Sequence, residues 1–451
     1  MNIKAGFSKT DLSEILPGSR FCEMPVSARG IYLAGRDFQS FFLVTDFMDF
    51  DFQAVTFLQK AVAAGLPENT QIHIMTTHNH GATPWSQLNT ARFAELACAC
   101  AKQSVESCQM AKVRFAQGVL DRKISFTRRV FVPEVDGSFT CFYGVDSTDT
   151  GNASAFVKSA LENLVQGSLT FSASGDVSVV GERSFPAGDP EISILEFWTL
   201  NDLPLGNIVR FAAHAVCCNL PDWYSSDFPG YLREYLESSL GGISVFMNGP
   251  CAELAPVIRK KSPETGRNMA EVIAAHAVRL LEDTEFRLLE KFSDTLWEIP
   301  LPIRKELKDP GKTESFKPAS TKDLREMKHF LEREYFQETL PFLRGICYNG
   351  ISEPGDEIVV TTALLRLNDV NLLFFSGETF SETAGKITAR FPGKKWITCT
   401  EHGRTAMYIP PEEEYFRGGY EPLCAAVSPE GENSLRQQMI FLLQKQFTEK
   451  Y

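Results

Sequence analysis

The chain has 451 residues, 43% of them hydrophobic and 23% charged, and a formal net charge of -12 at pH 7. This is the composition of a soluble globular protein with room for a large core. The acidic balance argues against nucleic-acid or anionic-membrane partners, and no apolar run reaches the length of a membrane span, so stable membrane insertion is not expected. The opening "MNIKAGFSKTDLSEIL" lacks the basic and apolar regions of an export signal. The 11 cysteines form no CxxC pair and include close pairs such as Cys98/Cys100 and Cys217/Cys218. They suit neither a disulfide framework nor a thiolate zinc site, and a reducing cytoplasm is expected.

In chain order, "SFFLVTDFMDF" (40–50) predicts a strand and "DFQAVTFLQKAVAAG" (51–65) a helix stopped by glycine. "TQIHIMTT" (70–77) predicts a second strand, and "TARFAELACACAKQSVESCQMA" (90–111) a long helix. "ISILEFWTL" and "GNIVRFAAHAV" predict two strands around the turn "NDLPLG". "DFPGYLREYLESSLGG" predicts a helix, "ISVFMNG" a strand, and residues 266–290 another helix. The polar segment at about 305–340 predicts an exposed excursion carrying a helix. Strands return over 356–378, followed by the helix "TFSETAGKITARF". The expected fold is α/β, a mixed central sheet flanked by helices in one large domain over 1–451.

Chemistry in such folds gathers just beyond strand C-termini. His78 and His80, in "TTHNHGAT", lie there, two of only seven histidines in the chain. By spacing they are either metal ligands or polar residues at a strand end. His214 closes the strand "NIVRFAAH" and reads equally as a hydrogen-bonded structural histidine. Glu378 follows "VNLLFFSG", where a carboxylate caps the next helix or meets a cation. Tyr408 precedes two prolines and reads as packing or as a site residue.

The sequence resembles the neutral ceramidase family, the zinc-dependent ceramidases and their bacterial relatives, through separated segments in the same order. These are "AGFSKTDLSE", "TTHNHGATPW", "SFTRRVFVPEVDG", "DPEISILEF", "NIVRFAAHAVCCNLPDWYSSDFPGYLREYLE", "VFMNGPCAELAP", "FFSGETFSETAG" and "GRTAMYIPPEEEYFRGGYE". The resemblance implies a zinc ion held by His78, His214, Glu378 and Tyr408. It implies catalytic roles for His80, beside the metal, for Arg128 and for Tyr420. Such a ligand set suits zinc, which generates a nucleophile from water and polarises a carbonyl.

One departure bears on substrate. Where the ceramidases carry a serine at the reaction centre, the turn "CAELAP" has Ala255, which offers no hydroxyl. Nearby Cys251 reads as a small buried residue. No counterpart of the C-terminal β-sandwich domain of the full-length enzymes is expected. The expectation is a cytoplasmic zinc amidohydrolase acting on a small-molecule N-acyl substrate, smaller and more polar than long-chain ceramide. A zinc esterase or lactonase, or a non-catalytic binding protein keeping the fold, are the alternatives.

Overall fold

The computed structural model describes residues 3–18, 20–36, 38–132, 136–140, 145–146, 182–183, 188–220, 222–258, 261–308, 324–348 and 355–448. The middle of the "VFVPEVDG" segment and residues 309–323 of the polar segment lie outside the described residues.

Two sheets form the centre. The larger contains β1 (Lys4–Asp11), β2 (Ser27–Ala34), β3 (Gln39–Thr45), β4 (Gln71–Thr76), β5 (Gln109–Val119), β6 (Glu191–Thr199), β7 (Pro204–Phe211) and β8 (Ile243–Asn248). Their order is β8-β7-β6-β5-β1-β2-β3-β4, with the short strand Arg287–Leu288 pairing β5. The smaller sheet runs β9 (Phe292–Pro302), β10 (Glu357–Leu367), β11 (Val370–Phe374) and β12 (Lys395–Cys399). The mixed α/β class is as expected, but the central layer is two sheets face to face. Alternate residues explain why: Phe42 and Val44 of β3, Leu195 and Phe197 of β6, and Leu365, Leu372 and Ile397 of the smaller sheet share one core.

Helices cover both outer faces. Helices α1 (Phe52–Ala63) and α2 (Thr90–Glu106) pack on one half of the larger sheet, through Leu58, Val62, Phe93 and Ala97 against Phe41, Leu43 and Ile74. Helices α3 (Asp227–Leu240) and α4 (Pro263–Leu281) cover the other half. The smaller sheet is covered by α5 (Leu324–Tyr348), α6 (Ser381–Thr388) and α7 (Gly431–Thr448). The helix expected in the polar segment is thus α5, and its face Phe336, Leu340, Leu343 and Ile346 is packed into this core. Asp51 caps α1 by accepting from Ala54 N at 2.7 Å, and Asn89 caps α2 through Arg92 N at 3.2 Å.

Two boundaries differ from the sequence reading. Helix α2 stops at Glu106, and β5 begins at Gln109. The residues "QMAKVRFAQGV" alternate, and that period suits a strand paired along its length with β6. Helix α4 likewise stops at Leu281, short of the expected 290, and the chain turns into the short strand Arg287–Leu288, which pairs with β5. Among the described residues, no helix is long and apolar enough to cross a membrane, and the ten described cysteines are free.

Candidate metal centre

Three parallel strand pairs aim at one place. β3 pairs parallel with β4, β7 with β8, and β11 with β12. His78 lies just past β4, His214 past β7, and Glu378 past β11. Tyr408, in the loop after β12, pairs in parallel register with Glu378. The sheet-end geometry therefore gathers residues far apart in sequence.

His78 adopts a left-handed backbone, φ 57°, a conformation a bulky residue holds only where its surroundings fix it. The next residue supplies that fixing. Asn79 Nδ2 donates to the carbonyls of Asp46 (3.0 Å) and Ser225 (2.8 Å), and its Oδ1 accepts from Gly81 N (2.8 Å). Asp46 is clamped by Arg233 at 2.6 and 2.7 Å. On the Glu378 side, Gly377 has φ 60°, and a Cβ there would meet the Met407 carbonyl at 2.7 Å. Only glycine suits that turn.

Both buried rings turn the same edge inward. His78 Nδ1 lies 3.1 Å from the Met48 carbonyl and His214 Nδ1 2.8 Å from the Leu254 carbonyl. These contacts place a proton on each Nδ1 and turn each Nε2 toward the centre of the cluster. His214 Nε2 is 3.1 Å from Glu378 Oε2, His78 Nε2 is 3.3 Å from the same oxygen, and His80 Nε2 is 3.3 Å from His78 Nε2. The ligand nitrogens of His78, His80 and His214 lie within 4.8 Å of one another. Acceptors facing acceptors in a buried place repel unless a proton or a cation lies among them. The donor set therefore fits a metal ion, through His78 and His214 with either Glu378 or His80.

The titration of these groups follows. Burial works against a charged His78 ring, but Glu378 and Glu401 outweigh it and raise its pKa to about 9. Burial and the charge of Arg128 lower His214 to about 4. Burial and the neighbouring His78 and His214 rings hold His80 well below the usual histidine range. Burial opposes ionisation of Glu378, yet the two histidines hold it well below the carboxylate range. Burial and Glu378 push the Tyr408 phenol well above its usual range.

The second half of the site is a chain of donors. Arg128 Nη2 donates to Tyr408 Oη at 3.0 Å and to the Ala252 carbonyl at 2.8 Å. Arg128 Nε donates to Glu421 Oε1 at 2.8 Å. The other Glu421 oxygen takes Arg129 Nη1 at 2.5 Å and Thr140 Oγ1 at 2.7 Å. The Tyr420 ring centroid lies 5.6 Å from that of Tyr408. His78, His80, Arg128, His214, Glu378, Tyr408 and Tyr420 thus form one cluster. A cavity of about 540 Å³ opens in front of it, with Phe47, Met48, Asp49, His80, Trp85 and Phe342 in its wall.

Ala255 is 1% exposed in the short strand Leu254–Pro256, opposite Phe126. This turn serves the site through main-chain carbonyls, Leu254 to His214 and Ala252 to Arg128, which any side chain provides. Cys251 is buried, and burial pushes its thiol well above the reactive range. Sequence reasoning missed Glu401 and Glu421. Glu401 lies 3.5 Å from His78 Nδ1, and burial raises it to about 8. The signal was there: "TCTEHG" ends a strand with a carboxylate, as "FFSGE" does.

No protein-family model matches the sequence, and no curated protein matches it. Solved structures do match. The chain superposes on a neutral ceramidase from Pseudomonas aeruginosa with TM-score 0.65 and 16% identity, covering 99% of this chain and 75% of that one. It superposes on a ceramidase complexed with C2 with TM-score 0.66 and 16% identity, covering 99% and 76%. The chain has a neutral-ceramidase-like fold.

Proposed function

We propose that this protein is a zinc-dependent hydrolase of an amide bond in a small, soluble N-acyl compound. The observation that carries the reading is the convergence of His78 Nε2, His214 Nε2 and Glu378 Oε2 beside an open cavity, in a ceramidase-like fold. We assign His78, His214, Glu378 and Tyr408 to the metal. When bound, zinc supplies Lewis acidity and makes water a nucleophile near neutral pH.

The chain's own residues do the rest. His80 stands in the cavity wall, and burial keeps its ring neutral. Its Nε2 takes the proton from the attacking water and returns it to the departing amine nitrogen. Arg128 is held by Glu421 on one edge and points Nη2 at the Tyr408 oxygen. The Arg128 and Tyr420 donors steady the oxyanion that forms on the acyl carbon. Ala255 brings no hydroxyl to this centre, and the cavity of about 540 Å³ has the size of a small-molecule site. Both favour a substrate smaller than long-chain ceramide.

Metal analysis combined with a screen of N-acyl compounds tests the reading. One zinc per chain, with hydrolysis abolished by chelation and restored by zinc, is the expected result. A zinc-loaded protein that cleaves esters or lactones but no amide overturns it. Efficient turnover of long-chain ceramide overturns the substrate class alone.

A further inference from the structure

The cavity in front of His80 contains a charged group that the reaction above does not use. Asp49 lines the wall among Phe47, Met48, Trp85 and Phe342. Among the described residues it makes no hydrogen bond and no ion pair. The neighbouring wall residue Asp51 is different, since its Oδ1 is engaged by Ala54 N at 2.7 Å. No lysine or arginine lines the cavity. Burial raises the pKa of Asp49, against the pull of the neighbouring His78 ring.

A carboxylate against apolar walls is costly unless a partner completes it. Aromatic faces such as those of Phe47, Trp85 and Phe342 attract cations as well. An alkylammonium satisfies both features, because its charge meets the carboxylate while its methylenes lie on the rings.

We propose that the cavity takes N-acylated amines bearing a second, positively charged ammonium group, which Asp49 receives while the amide faces His80. The position of the amide rests on the amide-hydrolase reading; the recognition of the ammonium does not.

The test uses the full zinc-loaded chain and two ligands, N-butanoyl-1,4-diaminobutane and N-pentylbutanamide. The second carries a methyl where the first carries the ammonium. Calorimetry is expected to show the diamine derivative binding about ten- to hundredfold more tightly, the range for a charge-assisted hydrogen bond. Asp49→Asn is expected to remove most of that preference while leaving zinc content and the affinity for N-pentylbutanamide unchanged. Equal affinities in the unmodified protein overturn the proposal. So does an Asp49→Asn variant that keeps the preference, or one that loses zinc. Turnover of the same pair separates the two readings. Preferential binding without hydrolysis of either compound leaves ammonium recognition standing and removes the amide-hydrolase reading. Hydrolysis of both at equal kcat/KM does the reverse.

Discussion

Two buried histidine clusters lie near the same strand, and they use their nitrogens differently. His73, within β4, pairs through Nδ1 with His402 Nε2 at 2.8 Å and through Nε2 with Asp294 Oδ2 at 2.7 Å. Ser40 donates to the same Asp294 oxygen at 2.5 Å, while Asp294 Oδ1 is buried without a hydrogen-bond partner, and the His73 ring stacks on Phe42 at 4.2 Å. Its ring nitrogens are satisfied, and the cluster ties the larger sheet to the smaller one. His78, just beyond the end of the same strand, gives only Nδ1 to a carbonyl. Its Nε2 faces another carboxylate and two more rings, with a cavity beyond His80. A buried histidine cluster is thus a ligand site when its ring nitrogens converge on one point beside a cavity, and a structural strut when both nitrogens of the central ring are matched.

The largest way to break the contrast is to delete one ring from each cluster. His78→Ala is expected to abolish stoichiometric zinc and all hydrolysis, because a shell missing a strong ligand binds poorly. His73→Ala is expected to keep zinc and to destabilise the fold by about 2–4 kcal/mol, through lost packing and an unmatched Asp294. Metal analysis and denaturant unfolding separate the two. If His73→Ala empties the metal site, the clusters are not independent.

His80 sharpens the contrast within the first cluster. His80→Ala is expected to retain zinc and lose about 10²–10⁴-fold in kcat, as for a general acid–base residue. A variant that loses zinc instead makes His80 a ligand.

The second cluster has its own signature in acid. Burial and the adjoining His73 lower His402 to about 3, whereas an unfolded ring titrates near 6.5. Between these values the unfolded state binds the extra proton, so stability is expected to fall as pH drops from about 6.5 toward 3. Unfolding measured across that window is expected to show a shallower slope in His402→Gln. An unchanged slope removes His402 from the account of acid sensitivity.

The smallest effect is expected at Ala255. Ala255→Ser adds a hydroxyl at a position 1% exposed. It is expected to cost about 1–3 kcal/mol if that hydroxyl finds no partner. It is not expected to create long-chain ceramidase activity, because the cavity must also accept two chains. Lipid-substrate assays of the variant decide this.

Much of the site was legible as strand ends. "TTHNHG", "RFAAH" and "FFSGE" each place a polar ligand type just after an apolar run, and the ordered resemblance grouped them with Tyr408 and Arg128. Glu421 was less legible, because its importance comes from two arginines some 290 positions away, Arg128 and Arg129. Asp294 was invisible for the same reason, since only sheet packing brings it to His73.

The sequence by itself determined the alternating elements, the α/β class and the residue types at the ends of β4, β7 and β11. These follow from local periodicity, turn chemistry and capping, which act over a few residues. Tertiary structure alone decided that the centre is two sheets rather than one, that α2 yields to β5, and which nitrogen of each histidine turns toward the cluster. Those outcomes depend on which strands pair and which carbonyls approach each ring, and such contacts join residues tens of positions apart, beyond the reach of local periodicity.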